Sequence, residues 1–314
     1  MKSYQTIGSA IAHLDFGAAR DMIGRWLASR SRRKRWSAPE NVHDDFYQGV
    51  TRLADMRAFF AKTDAFSAAP EVIPSRIDGF CYVCQREQGF VVDTGLIRRD
   101  NNWRETLTCP GCGLINRWRS SIHVFEALVQ PAPDDRIYLT EAVTPLFRTL
   151  ASRHPGCIGS EYIADLPPGT ETRLPSGLVR VEDVTRLSFV DRGFEAVLSF
   201  DVLEHVPDYA QALREFYRVL VPGGQTLISV PFTFLDQTIT RAEIDSEGNI
   251  RHLLEPVYHG DPLSEGGVLC YHEFGLDFLD KLRGAGFQDA YLLCFTSRKW
   301  GYYGPHVMFV GRKR

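Results

Sequence analysis

The chain has 314 residues and no window approaching ~18 uninterrupted apolar residues, which excludes a membrane-spanning helix. Its first residues, through Asp15 and Asp21, lack a continuous apolar stretch. A secretory signal is therefore not expected, and a transit peptide would be poorer in acid. There is no glycine-rich phosphate cradle and no lysine-bearing phosphate loop, so a dinucleotide is a poor fit. No internal repeat and no low-complexity tract is visible. No large excess of one charge exists either: 36 Lys and Arg face 39 Asp and Glu, for a net charge of −3. That excludes a globally basic protein but not a local basic patch. What is present is an ordinary globular balance, 44% hydrophobic and 24% charged, which excludes a mostly disordered or collagen-like chain.

Seven cysteines occur. Four of them pair as Cys81-x-x-Cys84 and Cys109-x-x-Cys112; Cys157, Cys270 and Cys294 stand alone. An odd number with no signal segment argues against a secreted disulfide framework, and a reduced cytoplasmic compartment is expected.

Residues 8–64 read as helical. Ile11, Leu14, Phe16, Ala19, Met22, Ile23, Trp26 and Leu27 recur near helical spacing, and a second run holds Phe46, Val50, Leu53, Met56, Phe59 and Phe60. The basic cluster Arg30, Arg32, Arg33, Lys34 and Arg35 between them is either a solvated helix end or a contact for an anionic partner. Residues 65–78 carry two prolines and small residues, as a linker would. From Asp135 onward, short apolar runs alternate with helical stretches. Strands are expected at 136–140, 157–161, 178–181, 196–200, 226–230, 290–295 and 307–310. The best helix is Pro207–Leu220. Alternation of this kind predicts an α/β fold, a Rossmann-like, mostly parallel seven-stranded sheet with helices on both faces. Three parts are expected: an N-terminal helical segment at 1–75, a four-cysteine zinc module at 76–125 and an α/β domain at 126–314.

Each C-x2-C pair lets two thiolates bend toward one ion, and two pairs complete a tetrahedral shell suited to zinc. Cys81, Cys84, Cys109 and Cys112 are thus the expected ligands of a structural Zn2+. With four thiolates no position stays open for catalysis. Arg98, Arg99, Arg104, Arg117 and Arg119 make this module locally basic, which fits nucleic acid or an anionic small substrate.

In an open parallel sheet, ligands sit outside the carboxyl ends of the strands. There the sequence places Glu141 after the first strand, Glu161 after the second, Asp183 after the third, and Phe200-Asp201-Val202-Leu203-Glu204-His205 after the fourth. An acid after the second strand can accept from both hydroxyls of a ribose, and one after the third from an adenine amine.

The stretch VRVEDVTRLSFVDRGFEAVLSFDVLEHVPDYAQALREFYRVLVPGGQTLISVPF resembles the class I S-adenosylmethionine-dependent methyltransferases. Asp183, Leu187-Ser188-Phe189, Leu203-Glu204-His205-Val206 and Pro222-Gly223-Gly224 carry the likeness, which covers about 135–314 and continues to Gly286-Phe287. The resemblance implies S-adenosyl-L-methionine as cofactor. It implies that Glu161 binds the ribose, Asp183 the adenine amine and the Val184 backbone the ring, with Phe200 and Asp201 beside the sulfonium and Glu141 at the first loop. That loop departs from the family: Ala142 and Thr144 stand where glycines are usual, and side chains there crowd the approach of the methionine part, so the loop must follow a different path or affinity is lower.

His205 follows the fourth strand, where an acceptor would approach, and its ordinary pKa suits proton removal. The long segment between Pro231 and Glu273 is expected to form a substrate lid, with Tyr258, His259 and Asp261 close together and Arg241 available to an anion. His205, His259 and Tyr258 are thus the candidate catalytic groups. The expected function is methyl transfer to a small molecule such as a sugar, amino acid or secondary metabolite. Alternatives are an RNA methyltransferase gripping its substrate with the module and basic helix, a non-methylating reaction of the same cofactor (cyclisation or aminocarboxypropyl transfer), and a decayed binding module. No membrane partner is expected, and the oligomeric state is open.

Overall fold

The computed structural model describes residues 47–63, 71–261 and 263–314. The strands are β1 Tyr47–Val50, β2 Arg76–Cys81, β3 Arg86–Val91, β4 Ile137–Leu139, β5 Cys157–Gly159, β6 Glu171–Leu174, β7 Gly177–Arg180, β8 Phe194–Phe200 and β9 Leu220–Ser229. Six short ones follow: β10 Ile239–Thr240, β11 Ala242–Ile244, β12 Ile250–His252, β13 Tyr258–Asp261, β14 Ser264–Leu269 and β15 His272–Glu273. The last two are β16 Asp289–Ser297 and β17 Tyr302–Arg312. The helices are α1 Leu53–Thr63, α2 Thr94–Asp100, α3 Asn116–Val129, α4 Pro145–Arg153, α5 Tyr209–Val219 and α6 Phe278–Gly284.

Seven strands form one sheet in the order β1-β16-β17-β9-β8-β4-β5. β5, β4, β8 and β9 pair in parallel, and β17, β16 and β1 add antiparallel pairs. The expected count of seven holds, but the membership differs. The run at 178–181 forms a separate hairpin of β6 with β7 and touches the sheet only through a bridge between Glu161 and Val181. Its place is taken by β1, inside a stretch that reads as helical. Tyr47–Val50 alternates as a strand should and finds an open edge on β16, so tertiary pairing overrides the local helical spacing. The basic cluster at 30–35 and the first helical run lie outside the described residues.

α1 packs Leu53, Met56, Phe59 and Phe60 into the main core with Phe216, Phe278, Leu292 and Phe309. At ~1.5–3 kcal/mol per buried large side chain, this face alone fixes α1 to the sheet. α5 begins at Asp208, whose carboxylate accepts from the Gln211 N–H, and buries Ala212, Leu213, Phe216 and Val219. α3 runs unbroken through position 125, so the cysteine module and the α/β part share a helix.

Arg119 on α3 ties the module down. It is fully buried, with its guanidinium 3.8 Å from the Phe90 ring centroid. It donates to the carbonyls of Leu107 (3.1 Å), Trp300 (3.0 Å) and Gly301 (3.1 Å). One cation thereby joins the module to the β16–β17 hairpin, and its hydrogen bonds offset the cost of burying charge. Asn116 Nδ2 adds bonds to the carbonyls of Trp103 and Tyr303. Trp300, Tyr302 and Tyr303 thus serve this junction.

Candidate functional site

The four paired cysteines converge. Cys81 Sγ lies 3.9 Å from Cys112 Sγ, and Cys84 Sγ 3.7 Å from Cys109 Sγ; all four ligand atoms lie within 4.8 Å of one another. Sulfurs on a tetrahedral ion with ~2.3 Å bonds stand roughly 3.8 Å apart, so the thiol set fits such an ion. Gly111 is required here: a Cβ would sit 2.9 Å from Cys84 Sγ. Among the described residues, Cys157, Cys270 and Cys294 are buried and free.

The carboxyl ends of β4, β5 and β8 form the second centre. The loop after β4 takes a path that needs no glycine, for neither Ala142 nor Thr144 has a positive φ. Thr144 instead caps α4, its side chain accepting from the Phe147 N–H, with Pro145 in the first turn. The close approach expected of the loop's glycines is supplied by Gly159 on β5, where a Cβ would lie 2.5 Å from the Glu141 carbonyl oxygen. The loop therefore follows its own path, one of the two outcomes expected of a loop without those glycines. Glu161 Oε1 accepts from the N–H groups of Ala142 (2.6 Å) and Val143 (2.9 Å) and holds the loop in place.

Glu141 is buried, and its Oε1 has no hydrogen-bond partner among the described residues. Burial pushes its carboxyl up to about 7, against the pull of Thr144 and Arg117. Asp183 Oδ1 accepts from both the N–H and the hydroxyl of Thr185, closing a turn after β7. Its neighbour Glu182 is occupied by Arg180 and Ser188. Val184 packs against the main core, and Phe200 is buried at the end of β8.

Asp201 has a left-handed backbone, φ 54°, a costly conformation held by its surroundings. Arg117 Nη1 stands 2.9 Å from Oδ2, Arg104 Nη2 3.3 Å from both oxygens, and Ser229 Oγ 3.3 Å from Oδ1. Burial works against its charge, yet the two guanidinium groups hold the pKa below the usual carboxylate range. Both arginines come from the cysteine module. Of its five named arginines, Arg104, Arg117 and Arg119 point into the protein, and only Arg98 and Arg99 are exposed. This inward clamp was missed from sequence, because a sequence shows that the arginines exist but not where they turn.

Just beyond Asp201, a short 3-10 turn at Leu203–His205 presents Glu204 and His205. Glu204 is 1% exposed. Its Oε1 lies 3.8 Å from His205 Nε2 and 3.7 Å from His259 Nδ1, and its Oε2 has no partner among the described residues. Burial raises the Glu204 pKa, and the adjacent carboxylate raises that of His259. His205 Nδ1 donates to the Leu269 carbonyl at 2.8 Å, and the Tyr271 N–H donates to the Glu204 carbonyl at 2.7 Å. These bonds seat the 231–273 insertion on the turn. The insertion is built of the paired strands β10–β15, β11–β12 and β13–β14. His205 and His259 are thus brought together, whereas Tyr258, alternating on β13, is 58% exposed. Arg241 is engaged by Glu273 and the Glu255 carbonyl rather than held open for an anion.

Residues 160–228 match the family described as "Methyltransferase domain". The chain is similar to a probable S-adenosylmethionine-dependent methyltransferase of Mycolicibacterium smegmatis, at 35% identity over 74 residues, 24% of this chain and 29% of that protein. It is similar to a demethylmenaquinone methyltransferase of Mycolicibacterium gilvum, at 33% identity over 139 residues, 43% of this chain and 58% of that one. Among solved structures, an S-adenosylmethionine-dependent methyltransferase from Mesorhizobium loti aligns with TM-score 0.36 and 17% identity, covering 60% of this chain and 97% of that one. The chain spans less than two thirds of the length of these curated relatives. The matched residues, 160–228, run from the segment after β5 into β9, and so lie along the parallel half of the seven-stranded sheet.

Proposed function

We propose that this protein is an S-adenosylmethionine-dependent methyltransferase acting on a small molecule, with a structural zinc ion in its four-cysteine module. The observation that carries the reading is the coincidence of the matched segment, 160–228, with strand ends that carry Glu161, Asp183 and Asp201, of which Glu161 and Asp201 lie close enough to Glu141 to act on its charge. The residues fit the cofactor on two counts. Glu141 Oε1 is a buried acceptor lacking a partner, as a ligand donor would require. The two loop N–H groups that could hold a phosphate are already committed to Glu161, so an acidic edge faces the ligand. Such an edge suits a sulfonium cation with ribose hydroxyls and disfavours phosphate.

When bound, S-adenosylmethionine supplies an electrophilic methyl group on a positively charged sulfur. Glu161 and Asp183 would hold the ribose and the adenine amine, and the Val184 backbone the ring. Phe200 excludes water from one side. Arg104 and Arg117 compensate Asp201, so the strand end keeps its shape without an unpaired buried charge. The acceptor side is closed by the 231–273 insertion, where Glu204, His205 and His259 face inward. Arg104, Arg117 and Arg119 turn toward the protein, which reduces the module's basic surface to its exposed arginines such as Arg98 and Arg99 and favours a small acceptor over RNA.

Calorimetry with S-adenosylhomocysteine tests the reading. Binding should be seen, and Glu161→Gln and Asp183→Asn should each weaken it about 10-fold or more, the loss of one charge-assisted hydrogen bond. Absence of binding, or a preference for ATP or NADH, would overturn it. Steeply salt-dependent RNA binding would replace the small acceptor with RNA.

A further inference from the structure

We propose that Glu204, His205 and His259 form a second metal site, one that holds a divalent cation with open positions for oxygen ligands. The three ligand atoms lie within 4.8 Å of one another. Their separations from Glu204 Oε1, 3.7 and 3.8 Å, are too long for hydrogen bonds. Neighbouring ligands on an ion with ~2.1 Å bonds stand roughly 3.0–3.4 Å apart, so a few tenths of an ångström of inward movement seats the ion. Glu204 supplies the independent sign: it is 1% exposed, and Oε2 has no partner among the described residues. A buried carboxylate oxygen left without a donor is costly, and a cation satisfies it.

The histidines are oriented for the same task. His205 gives its Nδ1 proton to the Leu269 carbonyl, because a carbonyl can only accept, and this leaves the Nε2 lone pair facing Glu204. An imidazole fixed by a carbonyl at one nitrogen and aimed by the other is the usual arrangement of a metal ligand. His259 is delivered by β13, more than 50 residues later in the chain, and its ring stands 5.1 Å from that of His205 at 84°. Asp201, Glu273 and the buried Cys270 complete the charged and polar surroundings, and Arg241 is paired with Glu273 rather than with this cluster.

One carboxylate and two imidazoles suit Mn2+, Fe2+, Co2+ or Zn2+ and occupy one side of the ion. The remaining positions take oxygens, so the ligand class is a molecule presenting hydroxyl or carboxylate groups. Cation binding stands on the geometry alone; identifying those oxygens with the methyl acceptor rests on the proposed function. A cation here takes the lone pairs that His205 and His259 would otherwise offer as bases.

The test is Mn2+ titration of the full-length, zinc-loaded protein, followed by electron paramagnetic resonance of free Mn2+. One Mn2+ should bind beyond the zinc. His259→Ala, at a side chain 34% exposed, should weaken binding about 100-fold, and His259→Asp, which restores a ligand oxygen, should recover most of it. No Mn2+ binding up to millimolar concentration, or binding indifferent to His259→Ala, would overturn the site. S-adenosylhomocysteine calorimetry on the same samples separates the two proposals. Mn2+ binding without nucleoside binding sinks only the methyltransferase reading, and the reverse sinks only the metal site.

Discussion

Asp201 and Glu204 leave the same strand three residues apart, one carboxylate partly buried and the other fully so, yet their surroundings are opposite. Asp201 faces the cysteine module and receives two guanidinium groups and a hydroxyl. Glu204 faces the 231–273 insertion and receives two imidazoles at 3.7 and 3.8 Å, with one oxygen unmatched. The module delivers permanent positive charge and closes its side. The insertion delivers groups that can be neutral, and its side stays chemically unsatisfied. The difference teaches that a compensated acid is a support, while an uncompensated one marks a place for something else to bind.

The comparison breaks most severely if the module is unfolded. Removal of the proposed zinc by a chelator, or Cys109→Ser, should abolish the fold of residues 76–115. Structural zinc supplies ~10–16 kcal/mol in small metal-dependent folds, as much as the whole stability of a typical domain. Limited proteolysis and circular dichroism would show the loss, and nucleoside binding should fall with it because Arg104 and Arg117 lose their footing. An intact, protease-resistant apo module would contradict this.

A milder cut is Arg117→Ala, which leaves Asp201 with the longer Arg104 contact and also strips Glu105 of its partner. About 2 kcal/mol of stability should be lost in urea unfolding, the loss of one charge-assisted partner from a carboxylate that keeps Arg104. Adding Asp201→Asn should return at least ~1 kcal/mol, the coupling expected of contacting groups.

Acid should loosen the same side. His306 is fully buried and held down to about 3, and His123 to about 4, in both cases chiefly by burial. Their folded pKa values lie below the ordinary ~6.5, so the unfolded chain binds more protons once the pH drops under that value. Stability is complete above ~6.5 and declines below it, at up to ~1.4 kcal/mol per pH unit for His306 and less for the partly exposed His123. Unfolding midpoints of His306→Gln should fall less steeply between pH 6.5 and 4 than those of the wild type. The smallest effect is expected on the insertion's outer face. Tyr258→Phe should alter stability by less than ~0.5 kcal/mol and leave Mn2+ and nucleoside binding unchanged.

Much of the fold was legible because it rests on local patterns. Short apolar runs gave β4, β5, β8, β9, β16 and β17, and α5 was readable from its spacing, Asp208 and the following glycines. The cysteine spacing made each C-x2-C pair legible, while the fold brought the two pairs together, Cys81 to Cys112 and Cys84 to Cys109. Two elements were misread for one physical reason: strand membership is a matter of which edges are open. Residues 47–50 joined an edge offered by β16, and residues 178–181 paired with β6 instead.

By itself, the chain determined the order of strands and helices, the presence of acids at the strand ends and the composition of the cysteine set. These depend on neighbours in sequence, where backbone geometry dictates spacing. Only the tertiary structure decided which charges met: that Arg104 and Arg117 turn inward to Asp201, that Thr144 caps a helix where a glycine was expected, and that His259 reaches Glu204. Those contacts join residues tens of positions apart, and their energies depend on burial and distance, which no linear spacing records.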